Sequence, residues 1–271
     1  MSGDQFARER DLAVALAARA GDLLLDRLGK VGTITHKSAK DVVTEVDHLS
    51  EALILGAIRE EYPYDGILAE ESGASHGSNG RVWVVDPLDG TINYANGIPI
   101  FCVSIALVVD GRPSVGAIRD PVRSETFAAT ADGPATLDGR PIQVSSKDSL
   151  ADFVVSLTLD GPRLSERLAA IREAIRVTRR LGSSALTLAY VANGRFDAFA
   201  QTHGLSAWDV AASGLIAERA GAVVTDASAG GPWLDLSRGT GTFGVLAAPP
   251  AHHARLLELV GSAARLGGPT G

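Results

Sequence analysis

The chain has 271 residues, 45% hydrophobic and 21% charged, with a net charge of −7. That size and composition fit a globular protein with two coupled cores, while the acidic balance argues against a nucleic-acid binder, which carries a basic stripe. No apolar run reaches the roughly 18 residues of a spanning helix, so no membrane partner is expected, and the polar N-terminus and single Cys102 point to a reducing, cytoplasmic location.

Leu12, Leu16, Ala20, Leu24 and Leu28 recur at helical spacing and predict a first helix that Gly29 ends. A polar loop from Thr33 to Asp41 follows, holding two of the four lysines, Lys37 and Lys40. A second helix is expected from Asp47 to Glu61, with Leu49, Leu53, Ile54 and Ile58 facing inward. Strand-like runs follow at Arg81–Val85, Phe101–Val109, Ser114–Ile118 and Ser124–Thr130, with Asp132-Gly133 and Asp138-Gly139 as hairpin turns. The second half alternates. A strand at Phe153–Leu157 precedes a helix carrying Leu164, Leu168, Ile171 and Ile175. Helices at Ala185–Asn193 and Asp209–Ala220, strands at Val223–Thr225 and Phe243–Ala247, and a helix from Pro250 complete the chain. The pattern predicts a mixed fold, with residues 1–146 as an α+β half and residues 147–271 as an α/β half.

Four acidic clusters fall at element boundaries: Thr44-Glu45-Val46-Asp47, Glu70-Glu71-Ser72, Asp86-Pro87-Leu88-Asp89-Gly90-Thr91 and Trp208-Asp209. Thr44 with Asp47, and Ser206 with Asp209, each also fit a helix capping box. Glu70-Glu71 also reads as a solvated loop pair. The third cluster is different, because Val82-Trp83-Val84-Val85 before it reads as a buried strand. An acid ending such a strand, with a second acid three residues on, is unfavourable without a cation. Magnesium answers that problem as a hard ion held by carboxylates, carbonyls and substrate phosphate. A strand end opening into a Gly-containing turn also frees N–H groups for an anion.

Four segments resemble, in order and approximate spacing, the motifs of the inositol monophosphatase family. They are Lys37-Ser38-Ala39-Lys40-Asp41-Val42-Val43-Thr44-Glu45-Val46-Asp47, Ile67-Leu68-Ala69-Glu70-Glu71-Ser72, Trp83 to Tyr94, and Ala207-Trp208-Asp209-Val210-Ala211-Ala212 with Glu218-Arg219-Ala220-Gly221 after it. The resemblance runs from near Asp11 to near Leu259. It implies a layered αβαβα sandwich, a homodimer, and magnesium-dependent, lithium-sensitive hydrolysis of a small phosphate monoester, with inositol 1-phosphate the expected substrate. Roughly two to three ions are implied. Glu70, Asp86 and the Leu88 carbonyl would hold one, Asp86, Asp89 and Asp209 a second, and Glu70 a third through water. Phosphate is expected on the backbone N–H groups of Gly90 and Thr91. Asp47, Thr91 and Glu70 are expected to orient and activate the attacking water. Lys37 lies in the loop that the family closes over its site; an ordinary solvated lysine is the alternative.

The alcohol is expected near Asp89, Asp209, Asp160-Gly161 and Gly182-Ser183-Ser184. Many members carry a glutamate seven residues before the second-signature Asp, bound to ring hydroxyls; the aligned position here is Thr202. A threonine offers no bidentate carboxylate, and a surface turn without a ligand is the alternative reading of that stretch. Fructose-1,6-bisphosphate and histidinol phosphate stay open as substrates of the same scaffold, whereas nothing marks an adenine pocket. A non-catalytic, partner-binding member is the reading from another class. It would be favoured by the loss of Glu70, Asp86, Asp89 or Asp209, and all four are present.

Overall fold

The leucine stripe of the N-terminal segment folds as α1 (Ala7–Arg27), with Leu16, Ala20 and Leu24 buried and Gly29 turning the chain at a φ of 75°. The computed structural model describes all residues except 1–4, 31–33, 39–40, 162, 237–241 and 262–271, and only the backbone of 34–38 and 41–44. The expected polar loop contains a hairpin instead, β1 (Ile34–Ser38) antiparallel to β2 (Asp41–Thr44). The side chain of Lys37 lies outside the described residues.

The second helix, α2 (Glu45–Glu61), buries Ile54 and Ile58 as expected and packs Leu53 against the same core, but turns Leu49 outward. Leu49 is 43% exposed, whereas Asp47, Ser50, Glu51, Ile54 and Ile58 are buried. The stripe keeps its i, i+3, i+4, i+7 spacing, but its first turns are polar. What those polar groups touch is the site described below.

The first sheet holds β3 (Gly66–Ala69), β4 (Gly73–Ser75), β5 (Arg81–Asp89), β6 (Cys102–Val109), β7 (Arg112–Asp120), β8 (Glu125–Thr130), β9 (Thr136–Leu137) and β10 (Arg140–Pro141). Its order is β10-β9-β8-β7-β6-β5-β3-β4, antiparallel except where β3 runs parallel to β5. Alternation along β5 sends Trp83 and Val85 into a core with α1 and α2, and Val84 to the opposite face. The short α3 (Thr91–Ala95) follows β5 directly.

The second sheet comprises β11 (Val154–Thr158), β12 (Val177–Arg179), β13 (Ala198–Leu205), β14 (Val223–Asp226) and β15 (Phe243–Ala248), ordered β12-β11-β13-β15-β14. Helices α5 (Ser184–Ala192) and α6 (Ala207–Arg219) fill the space between the sheets. Helices α4 (Leu164–Ala174) and α7 (Pro250–Gly261) cover the far side. The layers therefore run helix, sheet, helix, sheet, helix, the αβαβα sandwich anticipated. Helix α6 lies hard against the first sheet at Gly116 of β7, where a Cβ would sit 2.6 Å from the Ala212 carbonyl oxygen. That close approach carries the N-terminus of α6 to the end of β5. Among the described residues, no helix is long and apolar enough to cross a membrane.

Candidate active site

A bulge at the end of β5 sets the direction of two acids. Asp86 pairs with Ser104 on β6 and Asp89 with Cys102, so three steps on β5 match two on β6. In a regular strand, residues three apart face opposite sides. The extra residue turns both carboxylates toward α5 and α6. Pro87, with no N–H for the ladder, sits where the pairing is already interrupted.

Two further acids arrive from other elements. The parallel register pairs Ala69 of β3 with Val85 of β5, and the Glu70 N–H donates to the Val85 carbonyl at 3.2 Å. Glu70 is thereby brought beside Asp86. On α6, Asp209 closes a capping box by accepting the Ser206 N–H at 2.7 Å. It also presents an oxygen to the strand acids: carboxylate oxygens of Asp86, Asp89 and Asp209 all lie within 4.8 Å of one another. Capping and convergence are both true of Asp209.

The acids do not share one environment. Asp86 is 1% exposed, and its carboxyl is held well above the usual range, first by burial and then by the charges of Glu70, Asp89 and Asp209. A hydrogen bond with Glu70 acts in the same direction. Asp89 is raised by burial too, but donors oppose the shift. The Ser183 hydroxyl donates to its Oδ2 at 2.5 Å and the Ala185 N–H at 2.8 Å, with the N–H groups of Ser184 and Leu186 also favouring its charge. The first turn of α5 thus points at Asp89. The Cys102 thiol donates to the same oxygen at 3.7 Å; burial, Asp89 and Asp86 push it well up, so it stays protonated. A buried carboxylate raised by three acidic neighbours belongs to a donor set suited to a divalent cation of hard character.

Gly90 has a φ of 98°, and a Cβ there would sit 3.0 Å from the Ile100 carbonyl oxygen and 3.3 Å from Ser183 Cβ. Thr91, which follows, places its Oγ1 3.1 Å from Asp47 Oδ1 and 3.0 Å from the Leu88 carbonyl. One hydroxyl proton can serve only one of these acceptors at a time. Helix α2 adds two contacts that the sequence reading passed over. Ser50 Oγ donates to the Pro87 carbonyl inside the bulge at 2.9 Å, and Glu51 Oε2 accepts the Glu71 N–H at 2.9 Å. Their signal was the spacing of Asp47, Ser50, Glu51 and Ile54 along one helix face.

A model of the inositol monophosphatase family matches residues 7–265. The chain belongs to the inositol monophosphatase family. Nus factor SuhB of Pasteurella multocida is 39% identical over 236 residues, covering 83% of this chain and 87% of that protein. The fructose-1,6-bisphosphatase/inositol-1-monophosphatase of Thermotoga maritima is 36% identical over 219 residues, covering 80% and 84%. The crystal structure of extragenic suppressor protein SuhB from Bartonella henselae superimposes with a TM-score of 0.86 at 32% identity, over 94% of this chain and 98% of that one.

Beside the acids, this inositol monophosphatase fold has a recess of about 60 Å³ lined by Thr158, Arg180, Gly182, Ser183, Ser184 and Gln201, among others. Ser183 belongs to both regions, so the recess adjoins Asp89. Asn93 of α3 ties this region to the segment preceding β6 by donating to the carbonyls of Leu181 at 2.8 Å and Ile100 at 2.7 Å. Thr202 is used by the backbone: its Oγ1 accepts the Asp160 N–H at 2.9 Å. A wider cleft of about 1100 Å³, lined by Arg112, Glu218 and Trp233, lies on another part of the molecule and has none of the clustered acids in its wall.

Proposed function

We propose that this protein is a magnesium-dependent phosphatase of small phosphate monoesters, with inositol 1-phosphate among its substrates. The observation that carries the reading is the approach of Asp86, Asp89 and Asp209 within 4.8 Å, in a family of phosphatases. In this reading residues 1–146 supply Asp47, Glu70, Asp86, Asp89 and Thr91, and residues 147–271 add Asp209 and the alcohol recess. Glu70, Asp86, Asp89, Asp209 and the Leu88 carbonyl would hold roughly two to three magnesium ions. Bound there, magnesium supplies positive charge that polarises the phosphoryl group and stabilises the departing oxygen.

The chain's own residues do the rest. The Gly90 and Thr91 N–H groups, at the start of α3, cradle the phosphate. A water attacking phosphorus donates to Thr91 Oγ1 while the Thr91 proton turns to Asp47, 3.1 Å away. Glu70 helps orient the same water. As the new O–P bond forms and the ester O–P bond breaks, the departing oxygen takes its proton from water at Asp209. Gly182, Ser183 and Ser184 border the alcohol. Thr202 brings no charge to the alcohol, and its oxygen already serves Asp160. Turnover is therefore broad among small monoesters, and lithium competes with magnesium. The working unit is a homodimer, a point that a single-chain mass in light scattering would remove alone.

Phosphate release is the test, measured with magnesium over inositol, sugar, histidinol and nucleotide phosphates. Release from several monoesters supports the reading; none from any of them ends it. The name Nus factor, carried by relatives such as the Pasteurella protein, favours a second reading, a partner-binding role. An Asp89→Asn variant separates the two, because partner binding would survive the loss of turnover.

A further inference from the structure

We propose that Glu51 is a positioning residue that aims Glu70 at the acid cluster, and that it does so as a hydrogen-bond acceptor rather than as a charge. The inference rests on the metal reading above. Glu51 lies one helical turn after Asp47 on α2, on the face turned toward the site, and it is 5% exposed. A carboxylate in such a place is expensive to bury unless a specific partner holds it. Its partner is the backbone N–H of Glu71, 2.9 Å from Oε2.

That N–H matters because of what precedes it. Glu70 and Glu71 begin the turn between β3 and β4, whose flanking residues Ala69 and Gly73 are paired. The Glu70 N–H is fixed to the Val85 carbonyl of β5 at 3.2 Å. The next N–H, that of Glu71, is fixed to Glu51 of α2. Two successive amides are thus anchored to two different elements, and the Glu70 Cα lies between the anchors. The Glu70 carboxylate in turn hydrogen-bonds with Asp86. Remove the α2 anchor and one of these backbone anchors around Glu70 goes, while the strand register that places Asp86 and Asp89 stays. Turns without such an anchor relax readily, and groups that orient a metal ligand commonly change metal affinity by about 10–100-fold.

Two near-isosteric substitutions separate acceptor from charge. Glu51→Gln keeps an oxygen for the Glu71 N–H and loses the charge; Glu51→Met keeps the length and loses both. The measurement is calorimetric titration of magnesium into the full-length parent and both variants, with the metal-free melting curve as the check on folding. Glu51→Gln is expected to bind magnesium within about threefold of the parent, and Glu51→Met about tenfold or more weakly. A merely structural role would lower the melting temperature and leave the magnesium affinity of the folded protein unchanged. Equal magnesium affinity in Glu51→Met and the parent overturns the proposal. So does a tenfold loss in Glu51→Gln, which would make charge the operative property; that arm decides the matter if Glu51→Met does not fold. A parent that takes up no magnesium defeats the metal reading itself, and with it this inference, and is distinct from either variant result.

Discussion

The acid cluster and the recess beside it share Ser183 but are built in opposite ways. The acids stand on a strand bulge, a parallel strand end and a helix N-terminus, each locked by backbone hydrogen bonds. The recess is walled by neutral side chains and one arginine from two strands, a loop and a helix start. In the proposed reading, the difference separates the two halves of the activity. Placing like charges together in a buried site demands rigid elements, and rigid elements fix the reaction. Accepting an alcohol needs only hydrogen-bonding capacity, and that can drift while the reaction stays.

The largest expected effect lies on the acid side. Asp86→Asn should lower turnover by about a thousandfold or more. It should also raise the melting temperature of the metal-free protein, by about 2–4 °C, since it removes a charge that its surroundings disfavour. A metal-free protein that loses stability on this substitution would break the contrast drawn between cluster and recess.

Next comes pH. The Asp86 carboxyl is raised in the folded state, so folding binds a proton that the unfolded chain releases. Metal-free stability must then fall as pH climbs from the ordinary carboxylate range to the raised value, and be greatest below it. Melting curves in chelator should show that decline in the parent, less of it in Asp86→Asn, and little of it once magnesium is present. Asp89→Asn sharpens the picture. Removing a like charge favours stability, but Asp89 also answers the N-terminus of α5 through Ser183 and Ala185. The two effects oppose, and the net change should stay within about 1 kcal/mol, while turnover is lost.

The smallest effect is expected at Thr202, which follows Gln201 of the recess wall but does not itself line it. Thr202→Glu should lower KM for inositol 1-phosphate relative to glycerol 2-phosphate by about tenfold, the worth of a charge-assisted hydrogen bond or less. Its carboxylate can also accept the Asp160 N–H in place of the lost hydroxyl. If the parent already prefers inositol 1-phosphate by more than about a hundredfold, another residue reads the alcohol, with Gln201, Thr158 and Arg180 of the recess wall the first to substitute.

How far the sequence could be read follows the same division. Asp86 and Asp89 were legible because acids closing a buried strand have few structural explanations. Asp47, Glu70 and Asp209 also fit caps or a solvated loop and were singled out by the family resemblance. Most helices followed from their spacing. Leu49 misled, because a leucine on α2 reads as core when its partner face is assumed apolar; here that face meets the site, and Ser50 and Glu51 took the inner positions. Strand β13 went unseen since Ala198-Phe199-Ala200-Gln201-Thr202-His203-Gly204 lacks the alternation of a half-buried strand. The recess was only partly legible, being assembled from separate elements that meet only in the fold.

The central claim is that the converging acids work as one divalent-cation centre for phosphate ester hydrolysis. Phosphate release from inositol 1-phosphate, titrated with magnesium for the parent and Asp86→Asn side by side, tests it most directly. The expected result is release by the parent that saturates with magnesium and vanishes in chelator, with none above background from Asp86→Asn. Release that persists in chelator, or that survives the substitution, would contradict it.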